Sequence, residues 1–145
     1  MKKIMFICTG NSARSQMAEG YARTVGRGKC EVYSAGLEPS QVSPYAIQIM
    51  KEIGIDISQQ KSKELDNELL RQMDVIVTLC DNAKESCPVT PPGIYALHWS
   101  LPDPSELAGS KEEILKGFRF IRDGIRDKIE GLLEVLGTGS RIQSD

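Results

Sequence analysis

The sequence predicts an α/β protein in which helices cover both faces of a four-stranded parallel sheet. Strand-like and helix-like segments alternate along most of its 145 residues, which is typical of three-layer α/β domains. Segment 74–79 is almost entirely apolar, as expected for a strand that is buried on both faces. Segment 112–136 carries apolar residues at helical spacing over its whole length.

The boundaries of the predicted elements follow from apolar periodicity and from helix capping signals. Ser43 is a suitable N-cap for the second helix, and Gly54 lies just beyond its end. The predicted strands are 3–7, 30–35, 74–79 and 94–99, and the predicted helices are 13–25, 44–53, 67–72 and 112–136. We expect one catalytic domain over residues 1–136, followed by a disordered polar tail at 137–145.

The composition excludes several classes of protein. A net charge of −2 gives no basic field for nucleic acid, and no apolar run approaches the length of a membrane span. The short apolar run after Met1 is also too short for a signal peptide. We therefore expect a cytoplasmic monomer, in which four cysteines indicate catalytic or redox chemistry rather than a disulfide framework.

A cysteine, Cys8, stands where the first strand ends and the first helix begins. Backbone N–H groups of such a loop, with the helix N-terminus behind them, can bind an anion. Arg14 can hold two oxygens of that anion, and the same positive field favours the thiolate of Cys8, which is the nucleophilic form. Gly10 and Asn11 tolerate unusual backbone angles, and the Ser15 hydroxyl can donate to the thiolate. The predicted oxyanion-binding loop comprises Thr9, Gly10, Asn11, Ser12, Ala13 and Arg14.

The alternative for Cys8 is a small buried hydrophobic residue, which is what a lone cysteine at a strand end usually is. The spacing of Cys8 and Arg14 would be weak evidence if it stood alone. The combination of a strand, a Gly-Asn turn, Arg-Ser and a helix start favours an oxyanion site.

Residues 8–19, CTGNSARSQMAE, resemble the low-molecular-weight protein tyrosine phosphatase superfamily and, within it, the thioredoxin-coupled arsenate reductases. The resemblance covers about residues 3–130 and implies the strand order 2-1-3-4. The other similar segments are Tyr33-Ser34-Ala35-Gly36, Gly54-Ile55-Asp56-Ile57-Ser58, Val77-Thr78-Leu79-Cys80, Cys87-Pro88, His98-Trp99 and Asp103-Pro104.

The pair Cys80 and Cys87 distinguishes a reductase from a phosphatase, because we do not expect it in the tyrosine phosphatases. In a regular helix the two Cα atoms would lie about 10 Å apart. A disulfide needs a separation below about 7 Å, so oxidation would have to unwind the segment. The alternative is a pair of unrelated thiols, since the tight CxxC signature is missing. Cys30 is predicted to be a packing residue.

Asp103 is predicted to be the general acid, because it precedes Pro104 in the loop after the fourth strand. The alternative is that the Asp-Pro pair only marks a turn. Family phosphatases carry a tyrosine after this pair, whereas this chain has Ser105, which favours a small inorganic substrate. His98 is predicted to be structural, since it has no partner motif for a triad.

The resemblance implies an arsenate reductase in which Cys8, Cys80 and Cys87 act in turn and thioredoxin restores the thiols. Phosphate and sulfate are expected to mimic arsenate at the site. The alternatives are a phosphatase for phosphotyrosine or small phosphate esters and a non-enzymatic oxyanion binder. No cofactor or metal is expected, because the cysteines lack paired zinc spacing.

Lys63 departs from part of this family. Some members hold a potassium ion behind the loop with residues that match Asn11, Glu19 and Ser34, together with an aspartate where this chain has Lys63. An ammonium at that position would repel the ion. The hypothesis is that Lys63 replaces the potassium and pairs with Glu19, and the alternative is a solvated surface lysine.

Overall fold

The computed structural model of the chain describes residues 1–80 and 90–137. The strands are β1 (Lys2–Cys8), β2 (Cys30–Gly36), β3 (Val75–Thr78) and β4 (Tyr95–His98). The helices are α1 (Arg14–Val25), α2 (Pro44–Lys51), α3 (Asn67–Leu70) and α4 (Lys111–Val135), with a 3-10 turn at Pro104–Glu106. Every strand and helix predicted from the sequence is present, and only the boundaries differ.

The four strands form one parallel sheet in the order β2-β1-β3-β4, which confirms the predicted fold class and strand order. Alternate side chains of β1 point to opposite faces. Ile4 and Phe6 pack with the helices α1, α2 and α4, whereas Met5 and Ile7 pack with Leu70 of α3. Every residue of β3 is buried, which explains its continuous apolar run.

The second helix ends two residues earlier in the structure than the sequence predicts. It is regular up to Lys51, but its end is closed by bonds from Gly54 N to Lys51 O at 3.0 Å and from Ile55 N to Met50 O at 3.1 Å. Gly54 has a φ of 80°, and the two bonds form a Schellman motif. The glycine therefore ends the helix as predicted, through a cap that lies outside the regular turns.

The carboxyl ends of β1 and β3 meet at one edge of the sheet. Ile7 pairs with Thr78, and Leu79 N donates to Ile7 O at 2.8 Å. Cys8 is the last residue of β1, and Cys80 lies two residues beyond the end of β3. Neighbouring strands of a sheet lie about 4.8 Å apart, so the two cysteines stand at adjacent strand ends. Cys87, the segment 81–86 and the predicted tail from 138 onward lie outside the described residues.

A short segment, 61–65, lies against the end of β2. Gly36 N donates to Lys63 O at 2.8 Å, and Leu65 N donates to Gly36 O at 2.9 Å. A side chain at Gly36 would have its Cβ 2.7 Å from Asn11 N and 2.8 Å from Thr9 O, so only glycine fits here. The close approach brings segment 61–65 behind the loop that follows β1.

Ion pairs join the end of α2 to α4. Arg119 Nη2 lies 2.8 Å from Glu52 Oε2, and Arg122 Nη1 lies 2.9 Å from Glu52 Oε1. The hydrogen bonds from Arg119 hold the pKa of the Glu52 carboxyl below its ordinary value, with a smaller contribution from Arg122. No helix within the described ranges is long and apolar enough to cross a membrane.

Replacing Glu52 with glutamine should lower the thermal stability at pH 7, because a depressed carboxyl pKa stabilises the fold only while the group is ionised. The difference in melting temperature between the variant and the wild type should narrow as the pH falls below 4.5, the ordinary pKa of this carboxyl. Thermal melting at several pH values measures this difference, with Glu64→Gln as the exposed control. A difference that stays constant with pH would contradict this role of Glu52.

Candidate active site

The loop after β1 turns its backbone carbonyls outward. Three of them accept hydrogen bonds from backbone amides of the segment 38–43. These bonds run from Glu38 N to Thr9 O at 2.8 Å, from Ser40 N to Gly10 O at 3.1 Å and from Ser43 N to Ser12 O at 2.9 Å. In a planar trans peptide the N–H points away from the C=O. The N–H groups of Gly10, Asn11 and Ala13 therefore point to the opposite side, as an anion-binding nest requires.

Asn11 gives the loop its shape. It has a φ of 45° and is the one non-glycine residue with a positive φ in the described part of the chain. Asparagine tolerates this left-handed conformation better than most residues do. The residue is fully buried, so each of its polar atoms needs a partner.

The hydrogen bonds of Asn11 turn its amide nitrogen toward the Ser15 hydroxyl. Asn11 Oδ1 accepts from Lys63 N at 2.8 Å, and a backbone N–H can only donate. Its Nδ2 therefore donates to Ser15 Oγ at 2.7 Å and to Ser34 Oγ at 3.0 Å. Ser15 Oγ accepts from Asn11, so its own hydrogen is available to donate to Cys8 Sγ, which lies 2.9 Å away. A hydroxyl donor at this distance can stabilise negative charge on sulfur.

A buried carboxylate supports the network from behind. Ser34 Oγ accepts from Asn11 and donates to Glu19 Oε1. Glu19 also lies 2.6 Å from Arg23 Nη2 and 3.5 Å from Lys63 Nζ. Lys63 Nζ donates in turn to the carbonyl of Lys61 at 2.5 Å. The geometry thus agrees with the hypothesis that Lys63 pairs with Glu19, whereas the contact with Arg23 was not anticipated from the sequence.

Arg14 is buried and bound to two neighbouring segments. Its Nη1 donates to Leu79 O at 3.2 Å and to Leu101 O at 3.3 Å. Its Nη2 lies 3.9 Å from Asp103 Oδ1. The guanidinium therefore stands between the loop, the residue that precedes Cys80 and the loop that carries Asp103.

A cleft of about 390 Å³ opens beside the loop. Cys8, Arg14 and Asp103 line it, and Cys80 does not. Asp103 Oδ1 accepts from Ser105 N at 2.9 Å, which fixes the carboxylate at the start of the 3-10 turn. One wall of the cleft is largely apolar and consists of Tyr45, Leu107, Ile114 and Phe118.

The remaining candidates lie apart from the cleft. His98 Nδ1 is 2.6 Å from Thr78 Oγ1, on the edge strand β4, which agrees with a structural role. Cys30 is buried near Gly26, and burial raises the pKa of its thiol, as expected of a packing residue. Cys80 is fully buried. No cluster of three or more His, Cys, Asp or Glu that could hold a metal occurs within residues 1–80 and 90–137.

The sequence analysis did not identify four residues that support the loop. They are Gln16, Ser40, Ser43, which was identified only as a helix N-cap, and Ser62. Ser40 and Ser43 contribute backbone amides to the loop carbonyls, and Ser62 Oγ donates to Gly10 O at 3.0 Å. A backbone donor leaves no trace in the type of residue, so no signal could have revealed it.

A cysteine and an arginine in a strand-to-helix anion loop define the class of phosphatase-like enzymes. The family model described as low molecular weight phosphotyrosine protein phosphatase matches residues 3–141, and the chain belongs to this family. An arsenate reductase from Halalkalibacterium halodurans is 47% identical, over 92% of this chain and 96% of that protein.

Solved structures are similar over most of the chain. One, an arsenate reductase in the phosphate binding state, is 42% identical, with a TM-score of 0.75 over 92% of this chain and 97% of its own. The thioredoxin-dependent arsenate reductase of Corynebacterium glutamicum is 28% identical, with a TM-score of 0.65 over 89% of this chain and 62% of its own.

Replacing Lys63 with aspartate should create sensitivity to potassium. The Lys63 ammonium lies where it neutralises Glu19, so the thermal stability and activity of the wild type should not differ between potassium and sodium at equal ionic strength. In Lys63→Asp, potassium should raise the melting temperature by about 4 °C relative to sodium.

The control is Lys61→Asp, which makes the same charge change at an exposed neighbour. A potassium-specific activation of the wild type would show that the cation site survives and that Lys63 does not replace the ion.

Proposed function

We propose that the chain is an arsenate reductase that draws two electrons from its own cysteine thiols. The observation that carries the proposal is the placement of Cys8 and Cys80 at the ends of two neighbouring strands, with Arg14 bonded to the residue before Cys80. A simple phosphatase needs only the first cysteine. The similarity to arsenate reductases over most of the chain supports the same conclusion.

Binding of the oxyanion follows from the loop. Inward N–H groups and the Arg14 guanidinium supply donors to a tetrahedral anion above Cys8 Sγ. Phosphate and sulfate share the shape of arsenate and serve as mimics. The related reductase in the phosphate binding state supports this assignment.

The first step is attack by the Cys8 thiolate on the arsenic atom. A sulfur–arsenic bond forms, and one arsenate oxygen leaves as water after Asp103 supplies a proton. Ser15 Oγ lies 2.9 Å from the Cys8 sulfur, where its hydroxyl can donate to the attacking thiolate. Arsenic remains in the +5 state in this adduct.

Reduction occurs in the second step, when the Cys80 thiolate attacks Cys8 Sγ. The sulfur–arsenic bond breaks and leaves its electron pair on arsenic, which departs as arsenite in the +3 state. A Cys8–Cys80 disulfide remains. Two thiols have thus lost one electron each, and the electron count balances.

The third step regenerates the site. Cys87 attacks Cys80, releases the Cys8 thiolate and leaves a Cys80–Cys87 disulfide, which a dithiol protein such as thioredoxin reduces. The thioredoxin-dependent relative from Corynebacterium glutamicum supports this choice of reductant. The relay needs a compartment that keeps thiols reduced, so we propose that the protein is cytoplasmic. We also propose that it is a monomer and that residues 1–136 form its single catalytic domain.

A phosphatase is the second candidate, because an apolar wall beside the loop offers contact to an aryl group. That wall includes Tyr45 and Phe118. Arsenate turnover with thioredoxin, thioredoxin reductase and NADPH, set beside hydrolysis of an aryl phosphate, tests both candidates. Aryl phosphate hydrolysis without arsenate turnover would contradict the reductase and favour the phosphatase.

Replacing Cys8 with serine should reduce both arsenate reduction and aryl phosphate hydrolysis more than about a thousandfold. An alcohol at this position stays largely protonated, whereas the loop amides and Arg14 are still present to bind the anion. Calorimetry should therefore still detect phosphate binding. Turnover comparable to that of the wild type would rule out Cys8 as the nucleophile.

Replacing Cys80 or Cys87 with serine should separate the two activities. Either change should stop repeated arsenate turnover with thioredoxin, and neither should much affect aryl phosphate hydrolysis, which uses Cys8, Arg14 and Asp103. Cys30→Ser is the matched control and should retain both activities, since Cys30 only packs against α1 and its flanking turn.

Peptide mapping of the wild type after treatment with arsenate should find a Cys80–Cys87 disulfide. The relay is wrong if both thiols are still reduced after turnover in the absence of thioredoxin.

A further inference from the structure

Gln16 is a fully buried polar residue in the first turns of α1. Its Nε2 lies 3.1 Å from Asn11 O, 3.0 Å from Asn11 Oδ1 and 2.9 Å from Lys61 O. A buried amide is costly unless its hydrogen-bonding groups are satisfied, and here the NH₂ group is directed at the anion-binding loop and the segment behind it. Gln16 does not line the cleft.

The orientation of the Gln16 amide follows from its partners. Asn11 O and Lys61 O are backbone carbonyls, which can only accept, so the NH₂ group must face them. Gln16 Oε1 then faces Gln60, whose Nε2 donates to it at 2.7 Å. Gln60 Nε2 also lies 3.1 Å from Gln16 O, so the two side chains hold each other in place.

The contacts of Gln16 restrict Asn11 at two points. Holding Asn11 O fixes the following peptide, whose N–H belongs to Ser12 and must point the opposite way. Holding Asn11 Oδ1 fixes the side-chain amide, so that Nδ2 faces Ser15 Oγ and the Ser15 hydrogen is available to Cys8 Sγ, 2.9 Å away. One buried side chain therefore acts on a loop amide and on the hydrogen bond to the nucleophile.

We propose that Gln16 is a positioning residue for the reaction: it holds Asn11 in its left-handed conformation, and so sets the loop for binding the oxyanion and the Ser15 hydroxyl for donation to Cys8. The proposal deepens the proposed function, because it concerns the same anion site. Gln16 touches neither the substrate nor the reacting sulfur. It acts entirely through Asn11.

The test replaces Gln16 with methionine, which has a similar length and no hydrogen-bonding amide. Calorimetry with inorganic phosphate should show a dissociation constant about tenfold higher than that of the wild type, since about 1.4 kcal/mol is within the cost of leaving buried acceptors unsatisfied. Alkylation of Cys8 by iodoacetamide at pH 7 should also slow. The matched control is Gln48→Met, at an exposed position of helix α2.

A merely structural role predicts a different result. It would lower the melting temperature, while the folded variant would bind phosphate and react with iodoacetamide like the control. Both measurements are therefore made at a temperature where circular dichroism shows full folding. Phosphate affinity equal to that of Gln48→Met would overturn the proposal.

A second variant, Gln60→Met, tests the positioning role of Gln16 if Gln16→Met does not fold. Gln60 is only partly buried, and its loss leaves Gln16 in place without its outer partner. Phosphate binding should weaken by a smaller factor of about three, since a net hydrogen bond contributes modestly. Unchanged binding would overturn the proposal. Failure of the proposed function gives a different result, in which the wild type binds phosphate and does not reduce arsenate.

Discussion

The anion-binding loop depends on the hydrogen bonds that hold Asn11 in a left-handed conformation. An L-residue adopts this backbone at a cost, so the neighbouring structure must impose it. Lys63 N and Gln16 Nε2 hold its side-chain oxygen, and Gly36 leaves room for the loop to approach β2. The direction of the Ser12 N–H and the partner of the Ser15 hydroxyl both depend on this one residue.

The charge behind the loop explains how such a polar network is stable inside the protein. Glu19 is 4% exposed, and a carboxylate at that depth needs both cations and hydrogen bonds. Arg23 and Lys63 supply the charge, and Ser34 connects Glu19 to Asn11. The loop is thus supported by a chain of polar contacts that ends at the protein surface, while the apolar core lies on either side of the sheet.

The chain of residues from Cys8 to Ser15 could be recognised as an anion loop because its chemistry is local. A strand, a turn, an arginine and a helix start are contiguous, so their spacing carries the prediction. Asp103 could be predicted for another reason. In a parallel sheet the carboxyl ends of the strands share one edge, which brings loops that are distant in sequence together. The relay through Cys87 stays a prediction, since that residue lies outside the described range.

The sequence by itself determined the order of elements, the sheet edge that carries the site and the loop chemistry, because periodicity and local spacing encode them. Only the tertiary structure decided how the loop is held. Gln16 and Lys61 are 45 positions apart, and the amides of segment 38–43 donate whatever their side chains are. Contacts between distant residues, made through backbone atoms, depend on how the chain folds back on itself, and the type of residue at each position does not record them.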